Sequence, residues 1–263
     1  MLGAMLTSLK CGGVLAASLV VLLAPSAASA AGSQSPGGKA SAIERVARHL
    51  RRDLNGILAQ ARMQLVQHSR LPSVQAGDKG ACTRDMEARA GSPRYTALGA
   101  ADLAGDVYCL SLPNGSPVSI ADRAYFLRAL GSGDLGVGDY QIGRVTGQGA
   151  VGLGFPVRVG ERITGITLSP LSLTWLDQRV EAQLRRPIRD LLVIDDHGTV
   201  LAHAGGRTAA VGTNLGGTAL VKKALHGDRA VGRTRFGGQR VRAAFDLVPL
   251  SDDAMHIAVT RGL

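Results

Sequence analysis

The chain has 263 residues, of which 45% are hydrophobic, and a formal net charge of +10 at pH 7. Beyond the first thirty residues no apolar run reaches the roughly 20 residues that span a hydrocarbon core, which excludes a membrane protein with several spans. The arginines are scattered along the sequence without interleaved aromatic residues, so we interpret the basic charge as a solvated surface and expect no nucleic-acid partner.

Residues 1–30 predict a secretory signal peptide. Lys10 provides a positive start, Gly12 to Leu23 is an apolar run, and Ala28-Ser29-Ala30 is a small-x-small cleavage site. We expect a periplasmic or extracytoplasmic protein of net charge +9, with an uncleaved anchor in the inner membrane as the alternative. Cys11 lacks the preceding residues of a lipoprotein signal.

Two cysteines remain after cleavage, Cys82 and Cys109. An even pair without metal-ligand spacing in an oxidising compartment predicts a disulfide.

A linker at 31–40 precedes a long amphipathic helix at 41–70. Its apolar residues recur at the three-and-four spacing of one helical face, from Ile43 through Leu50 and Leu54 to Leu65. A helix of this length rarely stands alone, so its apolar face must cover the domain that follows, a second copy of the helix, or both. It is therefore a candidate homodimer element.

From Tyr95 the pattern predicts a hairpin (95–101 and 107–111), a helix at 121–130 and three strands near 137–145, 151–159 and 163–169. A connecting helix begins at Leu173. The same plan then returns, since Ala129-Leu130-Gly131 before Val137-Gly138 is matched about 95 residues later by Ala224-Leu225-His226-Gly227 before Val231-Gly232.

The predicted fold class is therefore α+β, with a long N-terminal helix followed by two PAS-like lobes. Each lobe is an antiparallel sheet with a helix across one face. We place the first lobe at 71–172, the connecting helix at 173–187 and the second lobe at 188–263.

The first lobe resembles the membrane-distal lobe of double Cache (dCache) sensor domains. The stretches that carry the resemblance are Ser119 to Leu130, Val137 to Arg144 and Phe155 to Val157, and it extends over about 42–263. The N-terminal helix, the cysteine pair and Leu173 to Leu176 also look like this family of bacterial diguanylate cyclases, histidine kinases and chemoreceptors.

The resemblance implies that the distal lobe binds a small molecule. The family's amino-acid motif, Tyr-x4-Arg-x-Trp-Tyr, is matched at Arg123, while Tyr125 stands at the Trp position, Phe126 at the second Tyr and Val118 at the first. These residues predict a ligand site of Arg123, Tyr125, Asp139 and Tyr140, with Arg123 binding a carboxylate.

Arg123 also has a structural interpretation, as the partner of Asp122 or Asp139. No acid follows at 166–172 to bind an ammonium group, so the match to the family's amino-acid motif is incomplete. Seven of the nine aromatic residues lie between Tyr95 and Trp175, which favours the first lobe as the binding lobe.

No match to an enzyme motif has the secondary structure that the motif requires around it. We therefore expect no catalytic residues, no metal and no cofactor. The G-x-G-x-x-G match at Gly147 to Gly152 precedes a strand and not a helix, which indicates a hairpin turn. His197 and His203 fall on one predicted hairpin at solvated positions, and there is no G-x-S-x-G elbow or P-loop.

The sequence therefore predicts an extracytoplasmic small-molecule sensor that provides input to a membrane-bound kinase, cyclase or chemoreceptor. The sequence printed ends at Leu263, where dCache receptors continue into a second membrane helix, so we expect either a free sensor for a separate partner or a truncated receptor. A periplasmic binding or scavenging protein without a signalling role is the alternative.

Overall fold

A computed structural model describes residues 41–113, 115–206, 209–227, 231–252 and 254–263. The predicted signal peptide and linker lie outside the described residues. Residues 40–263 form one compact unit. Within the described part, no helix is both long enough and apolar enough to cross a membrane.

The long helix α1 runs from Ala42 to Ser69 and begins at a capping box, in which the Glu44 carboxylate accepts a hydrogen bond of 2.6 Å from the Ser41 backbone N–H. Its buried face includes Ile43, Leu50, Leu54 and Leu65, as the helical spacing predicts. This face packs on two strands of each of the two sheets. The strands are β4 (Gly149–Val159) and β5 (Arg162–Leu168) in one sheet, and β10 (Gln239–Leu247) and β11 (His256–Gly262) in the other. The helix therefore joins the two halves through one continuous core.

The first sheet belongs to the predicted distal lobe and has the order β2-β1-β5-β4-β3, with a short β6 paired to β4. Its strands are β1 (Gly99–Asp102), β2 (Val107–Leu110), β3 (Gly136–Ile142), β4 (Gly149–Val159), β5 (Arg162–Leu168) and β6 (Leu171–Ser172). The pairings are antiparallel. Helix α4 (Ala124–Ser132) lies across β3 and β4.

Two helices before the first sheet were not predicted, α2 (Pro72–Gln75) and α3 (Lys79–Arg89). Helix α3 buries only Cys82 and Met86, so it carries almost no amphipathic signal. Cys82 is joined to Cys109 on β2 by a disulfide with a Cα–Cα distance of 5.8 Å, which confirms the predicted pairing. The disulfide fixes α3 to the sheet.

The second sheet has five antiparallel strands in the order β8-β7-β11-β10-β9. They are β7 (Asp190–Ile194), β8 (Val200–Gly205), β9 (Gly232–Phe236), β10 (Gln239–Leu247) and β11 (His256–Gly262). Helix α5 (Leu173–Glu181) precedes this sheet and α6 (Ala219–Leu225) packs on it, while a 3-10 turn at Pro249–Ser251 links β10 to β11. Two antiparallel sheets, each with a helix across it, confirm the predicted α+β class.

Candidate functional site

The candidate site is a small cavity in the first lobe, between its sheet, the segment that leads into α4 and the turn after β3. The cavity has a volume of about 50 Å³. It is lined by Thr96, Ala97, Val107, Leu110, Val118, Ile120, Arg123, Tyr125, Gln141, Gly143, Arg144, Val145, Thr146, Leu168 and Pro170. A cavity needs roughly 10 to 15 Å³ by such a measure to hold one water, so this volume suits a ligand of a few heavy atoms.

Tyr125 forms one wall of the cavity from the first turn of α4 and is 2% exposed. Three glycines of the neighbouring strands make room for its ring. A Cβ at Gly152 would overlap the ring, and a Cβ at Gly138 or Gly154 would lie 3.2 or 3.1 Å from the tyrosine side chain. Burial raises the pKa of the phenol, so Tyr125 is a neutral hydroxyl at physiological pH.

Arg123 is the N-cap of α4, with extended backbone angles, and its side chain also lines the cavity. Its Nη2 donates a hydrogen bond of 3.3 Å to the carbonyl of Ile142, at the end of β3. Neither expected carboxylate partner pairs with it, because Asp122 binds Arg144 and Asp139 binds Arg128. Among the residues described, no carboxylate lies within ion-pair distance of Arg123.

Arg144 also faces the cavity, but its charge is neutralised. Its two terminal nitrogens donate to the two carboxylate oxygens of Asp122 at 2.9 and 2.7 Å, and Nη1 also donates to the Ser119 carbonyl. Hydrogen bonding from Arg144 lowers the pKa of Asp122, so the pair is ionised at neutral pH. Arg123, Arg144 and Asp122 together leave one net positive charge at the cavity.

Asp139 and Tyr140 lie outside this cavity, at the contact between the two lobes. Asp139 accepts from Arg128 of α4 at 2.8 Å, and the second terminal nitrogen of Arg128 donates to Asp196 of the second lobe at 2.9 Å. The Tyr140 backbone N–H donates to Asp195 at 3.1 Å, and its ring packs beside Gly212. The structure therefore brings Arg123 and Tyr125 together and separates Asp139 and Tyr140 from them.

The predicted β7–β8 hairpin is present, and its two histidines have different surroundings. His197 is 68% exposed in its side chain, and its Nε2 is 3.5 Å from Asp139 and 3.6 Å from Asp196. Because Arg128 already binds both carboxylates, we interpret this group as an ion-pair cluster. His203 was expected to be solvated, which is wrong: its side chain is 9% exposed and lies 3.7 Å from the buried Asp190.

The glycine motif that resembles a dinucleotide-binding loop has a structural role. Gly147, at a φ of 65°, lies in the turn between β3 and β4, as the hairpin interpretation predicts. Gly149 begins β4, and Gly152 is the position where the Tyr125 ring contacts the strand.

A second cavity of about 250 Å³ lies beyond Thr96 and Ala97, which line both cavities. Its one cationic lining residue, Arg89, is paired with Asp85 at 3.0 Å. Of these two cavities, only the smaller one presents a cation without a carboxylate partner among the described residues.

No family model and no curated protein matches the sequence. Solved structures do match the fold. The ligand-binding domain of the Pseudomonas fluorescens chemoreceptor CtaA in complex with L-isoleucine aligns with a TM-score of 0.63 at 16% identity, covering 83% of this chain and 88% of that chain. The sensory domain of the Campylobacter jejuni chemoreceptor Tlp3 gives 0.64 at 11% identity, over 84% and 92%.

The chain has the double Cache fold. A further double Cache structure, the ligand-binding domain of the Pseudomonas aeruginosa PAO1 amino-acid chemoreceptor PctC in complex with GABA, aligns with a TM-score of 0.60 at 17% identity over 82% of this chain and 96% of that one. At these identities the comparisons establish the fold, as the resemblance in the first lobe predicts.

Several cavity residues were missed by the sequence analysis. Arg144 lay within a stretch noted for the resemblance, but nothing in its neighbours indicated that it would reach back to Asp122. Gln141 and Thr146 flank the end of β3, and Thr96 precedes β1, where its backbone N–H donates to the Pro170 carbonyl at 2.9 Å. A single sequence contains no signal for these tertiary contacts.

Proposed function

We propose that this domain binds a small carboxylate in the cavity of the first lobe and so works as an extracytoplasmic ligand sensor. The observation that carries the proposal is the Arg123 guanidinium, which lines the cavity with a backbone carbonyl as its partner and no described carboxylate within ion-pair distance. A guanidinium binds a carboxylate through two parallel hydrogen bonds, and the bond is strongest where water is excluded.

The lining residues favour a carboxylate without an ammonium group. None of them is Asp or Glu, and the polar ones besides the two arginines are Thr96, Gln141, Thr146 and Tyr125. An ammonium group would face the net positive charge of the cavity and lose its hydration without a counter-ion. The other lining residues are apolar or small, which suits a short aliphatic tail.

The signalling role rests on the sequence and on the fold. The apolar run at 12–23 predicts export or anchoring, and the structures of the same fold are domains of chemoreceptors. In this proposal the occupied first lobe provides input to a membrane-bound signalling partner, and the exposed side of α1 allows pairing with a second copy. A ligand shifts such an equilibrium only by its difference in affinity for the two arrangements.

A thermal-shift experiment with matched ligands tests the binding proposal. Propionate and 3-methylbutanoate are L-alanine and L-valine without the ammonium group. At about 100 times its dissociation constant, a ligand stabilises the fold by about 2.7 kcal/mol, which raises the melting temperature of a domain this size by about 5 to 10 °C. We expect a shift with the carboxylates and none with the amino acids.

The Arg123→Gln variant should lose the shift, whereas Arg84→Gln, at an exposed position on α3, should keep it. Equal shifts in the Arg123→Gln variant and the unchanged protein would exclude Arg123 as the carboxylate-binding residue. Larger shifts with the amino acids than with their deaminated partners would overturn the proposed ligand class.

A further inference from the structure

The hairpin of β9 and β10 gathers arginines that are scattered in the sequence. Arg235 lies opposite Arg240, and Arg233 lies opposite Arg242. Arg242 also lies opposite Arg261 of β11. Residues that pair across strands, or alternate along one strand, share a face of the sheet, so all five arginines are on one face. The four on β9 and β10 are exposed.

The turn of this hairpin fixes the register that places the arginines opposite one another. Gly237 and Gly238 both have positive φ, 54° and 75°, the conformation of the tight two-residue turn that glycine favours. A shift by one residue would turn the arginines to the opposite face, where Val241 and Ala243 pack in the core beneath α6.

Like charges directly opposite each other destabilise a sheet unless an anion lies between them. In the described part of the chain, none of the five has a carboxylate within ion-pair distance. Glu44 in the first turn of α1 interacts with Arg242 through charge. No acid occurs between Gly232 and Phe245 among the residues of the hairpin.

The arginine face lies at the end of the domain where α1 begins. The first turn of α1, with Glu44, lies beside Arg242, and Arg261 is two residues before the end of the sequence printed. The described residues therefore begin beside this face, at Ser41.

We propose that the arginine face, Arg233, Arg235, Arg240, Arg242 and Arg261, docks on a bilayer surface rich in anionic phospholipid headgroups. Charge complementarity favours a phosphate-rich partner. The exposed face of a sheet hairpin suits a partner with a flat surface. The face contains no aromatic side chain on which a base could stack, which favours lipid over single-stranded nucleic acid. Docking would hold the second lobe against the membrane, independently of any ligand in the first.

Vesicle cosedimentation of the full chain tests this inference. The probes are phosphatidylcholine vesicles with and without 30% phosphatidylglycerol, at low and at moderate salt. Each arginine near an anionic surface strengthens binding about five-fold. The Arg235→Gln/Arg240→Gln variant should therefore bind the anionic vesicles about 25-fold more weakly than the unchanged chain, and the difference should shrink as salt rises.

Two variants serve as controls. Arg84→Gln/Arg162→Gln removes the same charge from exposed positions in the first lobe and should bind like the unchanged chain. Arg235→Lys/Arg240→Lys keeps the charge and should also bind. The N-terminal apolar run is the same in every variant, so any binding through it cancels in the comparison.

The inference is overturned if the Gln variant at 235 and 240 binds anionic vesicles as tightly as the unchanged chain does. It is also overturned if both double Gln variants lose binding equally, because net charge alone would then explain the effect. If the Gln variant at 235 and 240 loses affinity for single-stranded DNA while its lipid binding is unchanged, the face belongs to nucleic acid instead.

Discussion

The substitution Gly152→Ala tests the packing that shapes the cavity. The added Cβ would overlap the Tyr125 ring, and the ring cannot retreat along the sheet because Gly138 and Gly154 are already in close contact with it. The ring must therefore move toward the cavity or β4 must shift. Overpacking of this kind costs about 1 to 3 kcal/mol. For a domain this size, about 2 kcal/mol lowers the melting temperature by about 4 to 8 °C.

Gly149→Ala on the same strand is the matched control. Its nearest neighbour would be a Leu173 methyl at 3.6 Å, an ordinary contact distance. Alanine there should be neutral or slightly stabilising, since glycine loses more backbone entropy on folding. Equilibrium unfolding in urea, followed by the fluorescence of the single tryptophan, Trp175, measures both variants.

A double-mutant cycle with Tyr125→Leu assigns the cost to the ring. Without the ring, Gly152→Ala should cost less than about 0.5 kcal/mol, so the coupling should be about 1.5 kcal/mol or more, within the range for residues in contact. If Gly152→Ala destabilises the Tyr125→Leu protein as much as it destabilises the original, or if it matches Gly149→Ala, the packing argument is refuted.

Two further predictions concern the lobe contact and a buried histidine. Arg128→Met should lower the free energy of unfolding by about 1 to 2 kcal/mol, because it leaves Asp139 and Asp196 partly buried without their cation. In a double-mutant cycle, adding Asp196→Asn should recover part of that loss. If the two substitutions have independent effects on stability, the bridge is not stabilising. Burial lowers the pKa of His68 to about 4, and the charge of a nearby arginine lowers it further in the same direction. The unfolded chain takes up a proton on this histidine near pH 6.5, and the folded chain does not. The free energy of unfolding should therefore fall by up to about 3 kcal/mol between pH 6.5 and pH 4. His68→Leu should remove this pH dependence, whereas His49→Gln, at an exposed position, should keep it.

The sequence predicts elements whose burial is periodic and misses those whose burial is not. Helix α1 buries one continuous face, so its spacing gives its position to within a residue or two at each end. The strands of both lobes were predicted because turns with glycine separate short apolar runs. Helix α3 buries two side chains and is fixed by a disulfide, so neither hydrophobic spacing nor its length identified it.

Local sequence decides the direction of a side chain at the start of α4, but not on β3. Arg123 and Tyr125 are two residues apart at the start of α4, and both line the cavity. Asp139 and Tyr140 follow α4 on the adjacent strand, but β3 carries them to the lobe contact. There Arg128 bridges Asp139 to Asp196, and the Tyr140 backbone N–H donates to Asp195. That outcome depends on how the two lobes pack, which no local pattern in the first lobe encodes.

The arginine face was missed for a different reason. The arginines of β9 and β10 are spaced two apart on each side of a glycine pair, a pattern that already places them on one face of a hairpin. They looked scattered because their density along the chain is low, whereas the strand pairing brings five positive charges together on one surface.

Helix α4 connects the cavity to the second lobe over a short distance. Arg123 stands at its N-cap beside the cavity, and Arg128, five residues later, bridges to Asp196. Five residues of helix span about 7.5 Å, too short for bending to absorb a shift at one end. A displacement of α4 at the cavity therefore moves Arg128 relative to the second lobe. Binding in the cavity would first change the second lobe at this contact, by altering the ion pair between Arg128 and Asp196.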